Sequence, residues 1–310
     1  MGKFGKDKRD IYYRLAKEEG YRARSAFKLL QIDDQFHILN GVKRCVDLCA
    51  APGSWSQVLA RRLLVSDDKN DNKECCKIVA VDLQAMAPIP GVIQLQGDIT
   101  NHSTATAIID HFDGIAADLV VCDGAPDVTG LHDIDTYIQA ELLLAGVNIT
   151  THILKPGGTF VAKIFRGKDV ELLYSQLKIF FDEVIISKPR SSRTSSIEAF
   201  AVCRGYNPPN QYEPTMFNTL MEGECQKYFE QLDENKFHVN RTIIPFMACG
   251  DLSGFDSDTT YSLNIDNQKD YKYHEPNQKP IDPPYKVAVQ LRKANALDKP
   301  MDFKSDSIDT

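Results

Sequence analysis

The sequence lacks the patterns that mark several large protein classes. No apolar run approaches the eighteen or so residues needed to cross a bilayer, and the first residues have no apolar core of the kind found in signal peptides. They also contain too many acids for a mitochondrial transit peptide. We therefore expect a cytoplasmic protein with no membrane-spanning segment.

Metal-binding patterns are absent as well. None of the eight cysteines forms a C-x-x-C pair, and the histidines do not cluster. Four cysteines fall within apolar, strand-like runs, which is typical of buried reduced thiols: Cys45, Cys49, Cys122 and Cys203. We expect neither a metal site nor a disulfide framework.

Two glycine-rich phosphate-binding motifs are also missing. The turn Ala50-Ala51-Pro52-Gly53-Ser54 after the first apolar run holds one glycine, so neither G-x-G-x-x-G nor G-K-[ST] fits. This argues against a pyrophosphate or triphosphate ligand and nearly excludes a nucleotide-dependent oxidoreductase. Gly53 still lets a ligand approach the backbone where the next helix begins. A nucleoside ligand without a phosphate chain is favoured.

What the sequence does contain is an alternation of short β-branched runs and amphipathic helical periods. This predicts a Rossmann-like α/β fold, a mostly parallel sheet with helices on both faces. The last two runs are separated only by PRSSRTSSI, so they should form a hairpin and give one antiparallel edge strand. Seven strands are predicted, at 45–49, 77–83, 92–98, 117–123, 159–165, 183–188 and 198–204.

The chain divides by composition into two regions. We predict a catalytic domain over 1–206 that opens with a basic RNA-binding helix, and a largely irregular extension over 207–310, where nine of the fifteen prolines lie. The extension has one apolar cluster, IIPFMACG, and should be disordered from about residue 290. It has too little apolar content to fold alone and is expected to dock on a partner. A polar insertion at 66–76 is expected to be a surface loop.

Acidic residues follow successive strands of the predicted sheet. Asp82 ends the second strand, where a carboxylate can accept both hydroxyls of a ribose, and Asp98 follows the third, where an adenine amino group could be bound. Each acid alone could equally cap a helix or end a solvated loop. Together with the Gly53 turn they favour S-adenosylmethionine as the cofactor.

Lys163 is unusual because it lies inside the apolar run VAKIF. A buried ammonium costs several kcal/mol unless a partner offsets it. Beside a second cation, Lys28, its pKa could fall far enough for it to act as a base, with Asp123 and Glu198 aligning both ammonium groups. A ribose 2′-hydroxyl needs such a proton acceptor. A purely structural ion-pair network is the alternative.

Positive charge is concentrated near the N-terminus although the net charge is −7. Residues 1–30 hold nine Lys or Arg against four acids, interleaved with aromatic residues, as phosphate contact and base stacking require. A solvated amphipathic helix would explain the same pattern. The candidate RNA contacts are Lys6, Lys8, Arg9, Arg22, Arg24, Arg166, Arg190 and Arg193.

These motifs together resemble the FtsJ/RrmJ family of RNA ribose 2′-O-methyltransferases. The matching segments, over about residues 1–206, are SAFKLL, DLCAAPGSWSQ, AVDLQAMAPIPGV, LQGDIT, VVCDGAPDVTG, GGTFVAKIF and SSRTSSIEAF. The resemblance implies a Lys–Asp–Lys–Glu catalytic tetrad at Lys28, Asp123, Lys163 and Glu198. It also implies cofactor contacts at Gly53, Trp55, Asp82, Asp98 and Asp123. The insertion at 66–76 departs from the family pattern without touching these residues.

Within that family, the N-terminal block, DVTGLHDIDTYIQAELLLAG and the tail resemble the branch that acts on tRNA. The resemblance implies methylation in the anticodon loop, at the wobble nucleotide and near the 5′ start of the loop. It also implies larger partner subunits, one WD-repeat-like and one helical-repeat-like, that select the position. The alternatives are methylation of rRNA, an mRNA cap, a small molecule or a protein side chain, and a non-catalytic RNA-binding subunit.

Overall fold

The computed structural model describes residues 10–64, 76–126, 131–167, 170–210, 212–214, 246–251, 253–263, 271–275, 277 and 285–293. The chain divides into two compact units, one that ends at Asn277 and one that begins at Gln278. The first unit contains helices α1 (Ile11–Glu18), α2 (Ala26–Phe36), α3 (Ser54–Leu63), α4 (His102–His111), α5 (His132–Ile153) and α6 (Val170–Phe180). Its strands are β1 (Arg44–Leu48), β2 (Lys77–Asp82), β3 (Val92–Gln96), β4 (Ala117–Cys122), β5 (Leu154–Phe165), β6 (Phe181–Pro189), β7 (Glu198–Tyr206) and β8 (Phe246–Cys249). The second unit contains α7 (Lys286–Lys293).

Some predicted features fall outside the described residues. These are nearly all of the polar insertion at 66–76, most of the chain end after residue 290, and the basic residues Lys6, Lys8 and Arg9. None of the helices within the described ranges is both long and apolar enough to cross a membrane.

The strands form one sheet in the order β3-β2-β1-β4-β5-β7-β6-β8. Every neighbouring pair is parallel except the two that involve β7, which is antiparallel to both β5 and β6. The predicted fold class, a mostly parallel sheet with helices on both faces, is confirmed. The predicted hairpin of the sixth and seventh strands is present as well.

Two details of the sheet differ from the prediction. The antiparallel strand β7 is not the edge strand, because it lies between β5 and β6. Its residues 199–203 are fully buried, as suits an inner position. The sheet also gains an eighth strand, Phe246–Cys249, which pairs in parallel with β6 beyond the hairpin. A four-residue run inside a proline-rich region gives too little periodicity to predict a strand.

Apolar side chains from both faces of the sheet build two cores, as β1 illustrates. Val46 and Leu48 join the core that packs under α4, α5 and α6, while Cys45 joins the core under α2 and α3. Alternate residues of a strand point to opposite faces, so a strand buried on both sides reads as one continuous apolar run. This packing fixes the carboxyl ends of the strands at one edge, where the predicted site residues lie.

Part of the C-terminal region lies against α1. We call the described residues between 251 and 277 the C-terminal strap. Its main-chain carbonyls accept hydrogen bonds from α1: Tyr12 donates to Phe255 at 3.0 Å, and the buried Arg14 donates to Ser262 at 3.0 Å and Leu263 at 2.9 Å. These contacts hold the strap on the helix through its backbone.

Candidate active site

Four charged side chains from different elements meet at the carboxyl edge of the sheet. Lys28 comes from α2, Asp123 follows β4, Lys163 lies in β5 and Glu198 begins β7. The Lys163 ammonium is 2.7 Å from Asp123 Oδ1 and 3.9 Å from Glu198 Oε2, and Lys28 Nζ is 2.7 Å from the same Glu198 oxygen. The structure therefore brings all four residues predicted as the tetrad into one cluster.

The register of β5 and β7 explains why Lys163 and Glu198 are neighbours. Lys163 pairs with Phe200, and Phe165 pairs with Glu198. The side chains of these two pairs therefore point to the same face of the sheet. Helix α2 packs on that face and places the Lys28 ammonium over the Phe200 ring, 5.7 Å from its centroid. The aromatic ring thus forms the floor under the charges.

The charges of the cluster shift the pKa values in opposite directions. Burial alone would lower the pKa of Lys163, but the carboxylates of Asp123 and Glu198 outweigh it and raise that pKa above its usual value. The expectation of a lowered Lys163 pKa was therefore wrong for this site, because two carboxylates and not the second lysine are its nearest charges. Burial opposes ionisation of Glu198, yet the two ammonium groups lower its pKa to about 2.

Two further residues support the cluster and were not predicted to do so. The Ser192 hydroxyl donates to Glu198 Oε1 at 2.7 Å, and the Lys188 ammonium donates to the main-chain oxygens of Ser196 and Glu198 at 2.7 and 2.8 Å. Burial lowers the pKa of Lys188. The loop SSRTSSIE carries the only sequence signal, several hydroxyls ahead of a strand that opens with an acid.

The Lys163 main chain and side chain are both held. Its ammonium donates to the main-chain oxygen of Asp123 at 2.8 Å, and its own main-chain oxygen accepts from Gln139 at 3.2 Å. The same Gln139 amide donates to Gly124 at 3.2 Å. Helix α5 therefore fixes the end of β5 and the segment after β4 against each other.

A tight turn follows β1 beside this cluster. Gly53 has φ 102°, a conformation that favours glycine, and its N–H donates to Ala50 at 2.6 Å. The Asp82 carboxylate closes the turn from the end of β2, because Oδ2 accepts the Ala51 N–H at 2.8 Å and Oδ1 accepts the Gln84 N–H at 2.8 Å. The predicted cofactor residues Gly53 and Asp82 therefore lie at one turn.

Trp55 and Asp98 differ in how much of their side chains a ligand could reach at the carboxyl edge of the sheet. The Trp55 side chain is only 2% exposed, donates from its indole N–H to the Ser25 main chain at 2.8 Å and packs on Phe200. It therefore offers a ligand its backbone and not its ring. Asp98 is half-buried after β3, and its Oδ1 accepts from the Thr100 N–H at 2.9 Å and hydroxyl at 2.8 Å.

The acceptors that remain at this edge suit S-adenosylmethionine. Each oxygen of the Asp82 carboxylate accepts one main-chain N–H and keeps a second lone pair, so the pair can still accept two ribose hydroxyls. Asp98 accepts both of its bonds from Thr100 on Oδ1, so its Oδ2 keeps acceptor capacity. Gly53 carries no side chain, and the space that a Cβ atom would take there is filled by Arg22 and Ile89. The residues fit a nucleoside cofactor without a phosphate chain.

The arginines predicted to contact RNA have protein partners. Arg24 forms an ion pair with Asp10 and donates to the Ser191 main chain, while Arg193 lies 3.3 Å from the same Asp10. Arg190 lies 3.4 Å from Asp256 of the C-terminal strap. The Arg22 guanidinium donates to the main-chain oxygens of Pro52 and Pro88. Arg166 is exposed at the end of β5. Their contact with RNA stays a prediction.

Within the described residues, no group of three or more His, Cys, Asp or Glu side chains is arranged to hold a metal ion. The six cysteines described are free thiols.

Comparison with known proteins identifies close relatives. A family profile described as FtsJ-like methyltransferase matches residues 21–206. A Mus musculus protein named tRNA (cytidine(32)/guanosine(34)-2'-O)-methyltransferase is 60% identical over 312 residues, covering 100% of this chain and 93% of its own length. A Schizosaccharomyces pombe protein of the same name is 55% identical, covering 96% of this chain and 100% of its own length.

Among solved structures, a Plasmodium falciparum protein assigned as a ribosomal RNA methyltransferase superposes with a TM-score of 0.52 at 26% identity. The match covers 60% of this chain and 98% of the other. The mouse and fission yeast relatives thus align over nearly the whole chain, whereas this structural match covers a little over half of it.

Proposed function

The chain belongs to the FtsJ-like methyltransferase family, and we propose that it transfers a methyl group from S-adenosylmethionine to ribose 2′-hydroxyls of tRNA. The proposed targets are nucleotides 32 and 34 of the anticodon loop. The mouse and fission yeast relatives carry that activity in their names, and they align with nearly all of this chain. The observation that carries the proposal is the cluster of two lysines and two carboxylates around the buried Lys163, beside the Gly53 turn.

We propose that Lys163 accepts the proton of the ribose 2′-hydroxyl. The hydroxyl is a poor nucleophile until that proton leaves, and a positioned acceptor contributes roughly 10²–10⁴-fold to such a step. Because the Lys163 ammonium is protonated at rest, it must first release a proton to solvent, and Asp123, 2.7 Å away, holds the resulting amine by accepting a hydrogen bond from it. Glu198, fixed by Lys28 and Ser192, keeps the lysine in place.

The cofactor contacts are assigned to the turn and to the acids after β2 and β3. We propose that Asp82 accepts the ribose hydroxyls of S-adenosylmethionine, that Asp98 contacts its adenine, and that Gly53 and the Trp55 backbone border it. When bound, the cofactor supplies an electrophilic methyl group on a sulfonium. Asp123 belongs to both sets, since it lies between the turn and Lys163.

Partner subunits are part of the proposal. A protein that binds tRNA without help is expected to carry a net positive surface, whereas this chain has a net charge of −7. In addition, several arginines near the site form contacts within the protein. We propose that a larger auxiliary subunit, WD-repeat-like or helical-repeat-like, supplies part of the tRNA grip and selects the position. The proline-rich extension is the segment proposed to dock on it.

Two rivals explain less of the structure. A methyltransferase for a small molecule would use the same cofactor edge but has no need of two lysines around a carboxylate. A non-catalytic subunit would have no need of a buried lysine held by two acids. An rRNA substrate is named only for similar proteins that cover less of this chain than the tRNA-methyltransferase relatives do, such as the structural neighbour at 60%.

Mapping ribose methylation in cells tests the substrate. In cells that lack this protein, tRNA should lose 2′-O-methylation at positions 32 and 34, and the wild-type gene should restore it. Lys163→Ala should not restore it. Lys155→Ala should, because Lys155 lies at the other end of β5 and pairs with Asp118 at 2.5 Å. Intact tRNA methylation with loss in rRNA would refute the assignment.

A further inference from the structure

Arg22 joins two loops at the carboxyl edge of the sheet. Its guanidinium donates from NH1 to the main-chain oxygen of Pro52 at 2.9 Å and from NH2 to that of Pro88 at 2.9 Å. Pro52 lies in the turn after β1, and Pro88 lies in the loop between β2 and β3. The turn follows β1, and the second loop begins directly after Asp82, which ends the neighbouring strand β2 and is the residue assigned to the cofactor ribose.

Packing around Gly53 shows how closely Arg22 fits. A Cβ atom at Gly53 would lie 2.7 Å from Arg22 NH1 and 2.8 Å from Ile89 Cδ1, so no side chain is tolerated at this position without movement. The positive φ of Gly53 also favours glycine. The turn, the guanidinium and the β2–β3 loop therefore form one packed unit.

The backbone around Arg22 is fixed on α3. The Arg22 N–H donates to Gln57 Oε1 at 2.8 Å, and the Gln57 amide donates back to the Gly20 main chain at 3.1 Å. Farther along, the Ser25 and Ser54 hydroxyls are 2.6 Å apart. The guanidinium thus extends from a rigid base, and the separation of the two loops follows from its length and planarity.

We propose that Arg22 is a positioning residue that fixes the spacing of the two loops bordering the cofactor site, and that it thereby sets affinity for S-adenosylmethionine and not for tRNA. The inference rests on the proposed function for the identity of the cofactor. It assigns Arg22 a different part from the RNA contact expected from sequence. A planar guanidinium can bridge two carbonyls in fixed directions, whereas an ammonium cannot hold that geometry.

Substitutions of Arg22 in the full-length protein test the proposal. Arg22→Ala should weaken binding of S-adenosylmethionine and of S-adenosylhomocysteine by roughly tenfold or more in calorimetry without RNA, since two charge-assisted hydrogen bonds are lost. Arg22→Lys should recover only part of this affinity. In steady-state assays, KM for the cofactor at saturating tRNA should rise, while kcat and the KM for tRNA at saturating cofactor stay within about twofold.

Arg204 offers a matched control. It also donates to a main-chain carbonyl, that of Phe36, and pairs with Glu183 at 3.5 Å. It lies toward the other end of the sheet, where it pairs in register with Thr159 near the middle of β5. Arg204→Ala should leave cofactor affinity unchanged. Thermal melting of each variant without ligand reports whether it is folded. If Arg22→Ala is unfolded, the cofactor affinity of folded Arg22→Lys tests the inference.

Wild-type cofactor affinity in both folded Arg22 variants would overturn the inference, as would an equal loss in Arg204→Ala. If the Arg22 variants raised only the KM for tRNA, Arg22 would be an RNA contact and the inference would be wrong. If the wild-type protein binds the cofactor but methylates no tRNA, the proposed function fails while the binding comparison still decides the part of Arg22.

Discussion

Lys163 carries a positive charge in a strand whose neighbouring residues are fully buried. Ala162 and Ile164 are 1% and 0% exposed, and Lys163 itself is 7% exposed. An isolated ammonium in such surroundings would be strongly destabilising, but Asp123 and Glu198 lie within ion-pair distance. The lysine is therefore protonated at rest, and the reaction depends on how it gives up that proton.

The raised pKa of Lys163 predicts a pH-dependent rate. Because the proton acceptor works only after losing its proton, single-turnover methylation should rise about tenfold per pH unit between pH 7 and 9. Glu198→Gln removes one of the carboxylates that raise this pKa, so the midpoint of the profile should move to lower pH even though the maximal rate falls. A flat wild-type profile, or a shift to higher pH in the variant, would contradict the proton-transfer role.

At this scale the sequence predicts the charged residues but not their partners. The four cluster positions follow from the family resemblance and from the odd placement of a lysine in VAKIF. Ser192 and Lys188 could not be predicted, because their contacts depend on how the loop between β6 and β7 folds back on Glu198. The direction of the Lys163 pKa was missed because a sequence does not tell which charge is nearest.

Strand β1 contains a second buried ionisable group, the Asp47 carboxyl. Asp47 is 1% exposed, and its Oδ2 accepts from the Ser56 hydroxyl at 2.5 Å, while Oδ1 has no side-chain or main-chain donor among the residues that the structure describes. Burial, together with the negative charges of Asp123 and Asp82, raises the pKa of Asp47 to about 7. The strand therefore holds a carboxyl that gains a proton when the protein folds below neutral pH.

Asp47→Asn should stabilise the protein increasingly as pH rises. The folded-state pKa lies above the ordinary value of 3.8, so stability from the bound proton is present at low pH and is lost between about pH 4 and 7. Relative to wild type, the variant should gain up to about 4 kcal/mol of unfolding free energy at pH 8 and much less at pH 5. Chemical denaturation at both pH values measures the difference.

Asp118→Asn is the control for this element. Although burial opposes it, Lys155 and two main-chain N–H groups lower the pKa of Asp118. Its stabilising effect is thus complete above about pH 4, and the substitution should destabilise the protein equally at pH 5 and 8. A pH-independent effect of Asp47→Asn would show that Asp47 is not protonated in the folded state.

The elements themselves were largely predictable, since a chain of apolar runs and amphipathic helices leaves few choices in an α/β fold. The position of β7 was not. The short connection fixes its pairing with β6, but only three-dimensional packing decides which hairpin strand faces β5. The strand β8 depends on a contact with β6 across more than fifty residues of chain, which local periodicity does not report.

For the whole molecule, the C-terminal strap changes the interpretation of the basic N-terminal region. Arg14 is 3% exposed and donates to the strap, Lys17 donates to His274 at 3.0 Å, and Arg190 pairs with Asp256. Asp258 also accepts from Ser195 in the loop that precedes Glu198. Part of the positive charge of the N-terminal region therefore forms contacts within the protein.

The rate of a single methyl transfer to tRNA, measured with the protein purified from its own cells together with whatever copurifies, tests the central claim most directly. Lys163→Met should lower that rate by roughly 10²–10⁴-fold and leave cofactor affinity nearly unchanged. Lys155→Met, in the same strand, should react at the wild-type rate. Methyl transfer by Lys163→Met at the rate of the Lys155 control would contradict the assignment of Lys163 as the proton acceptor.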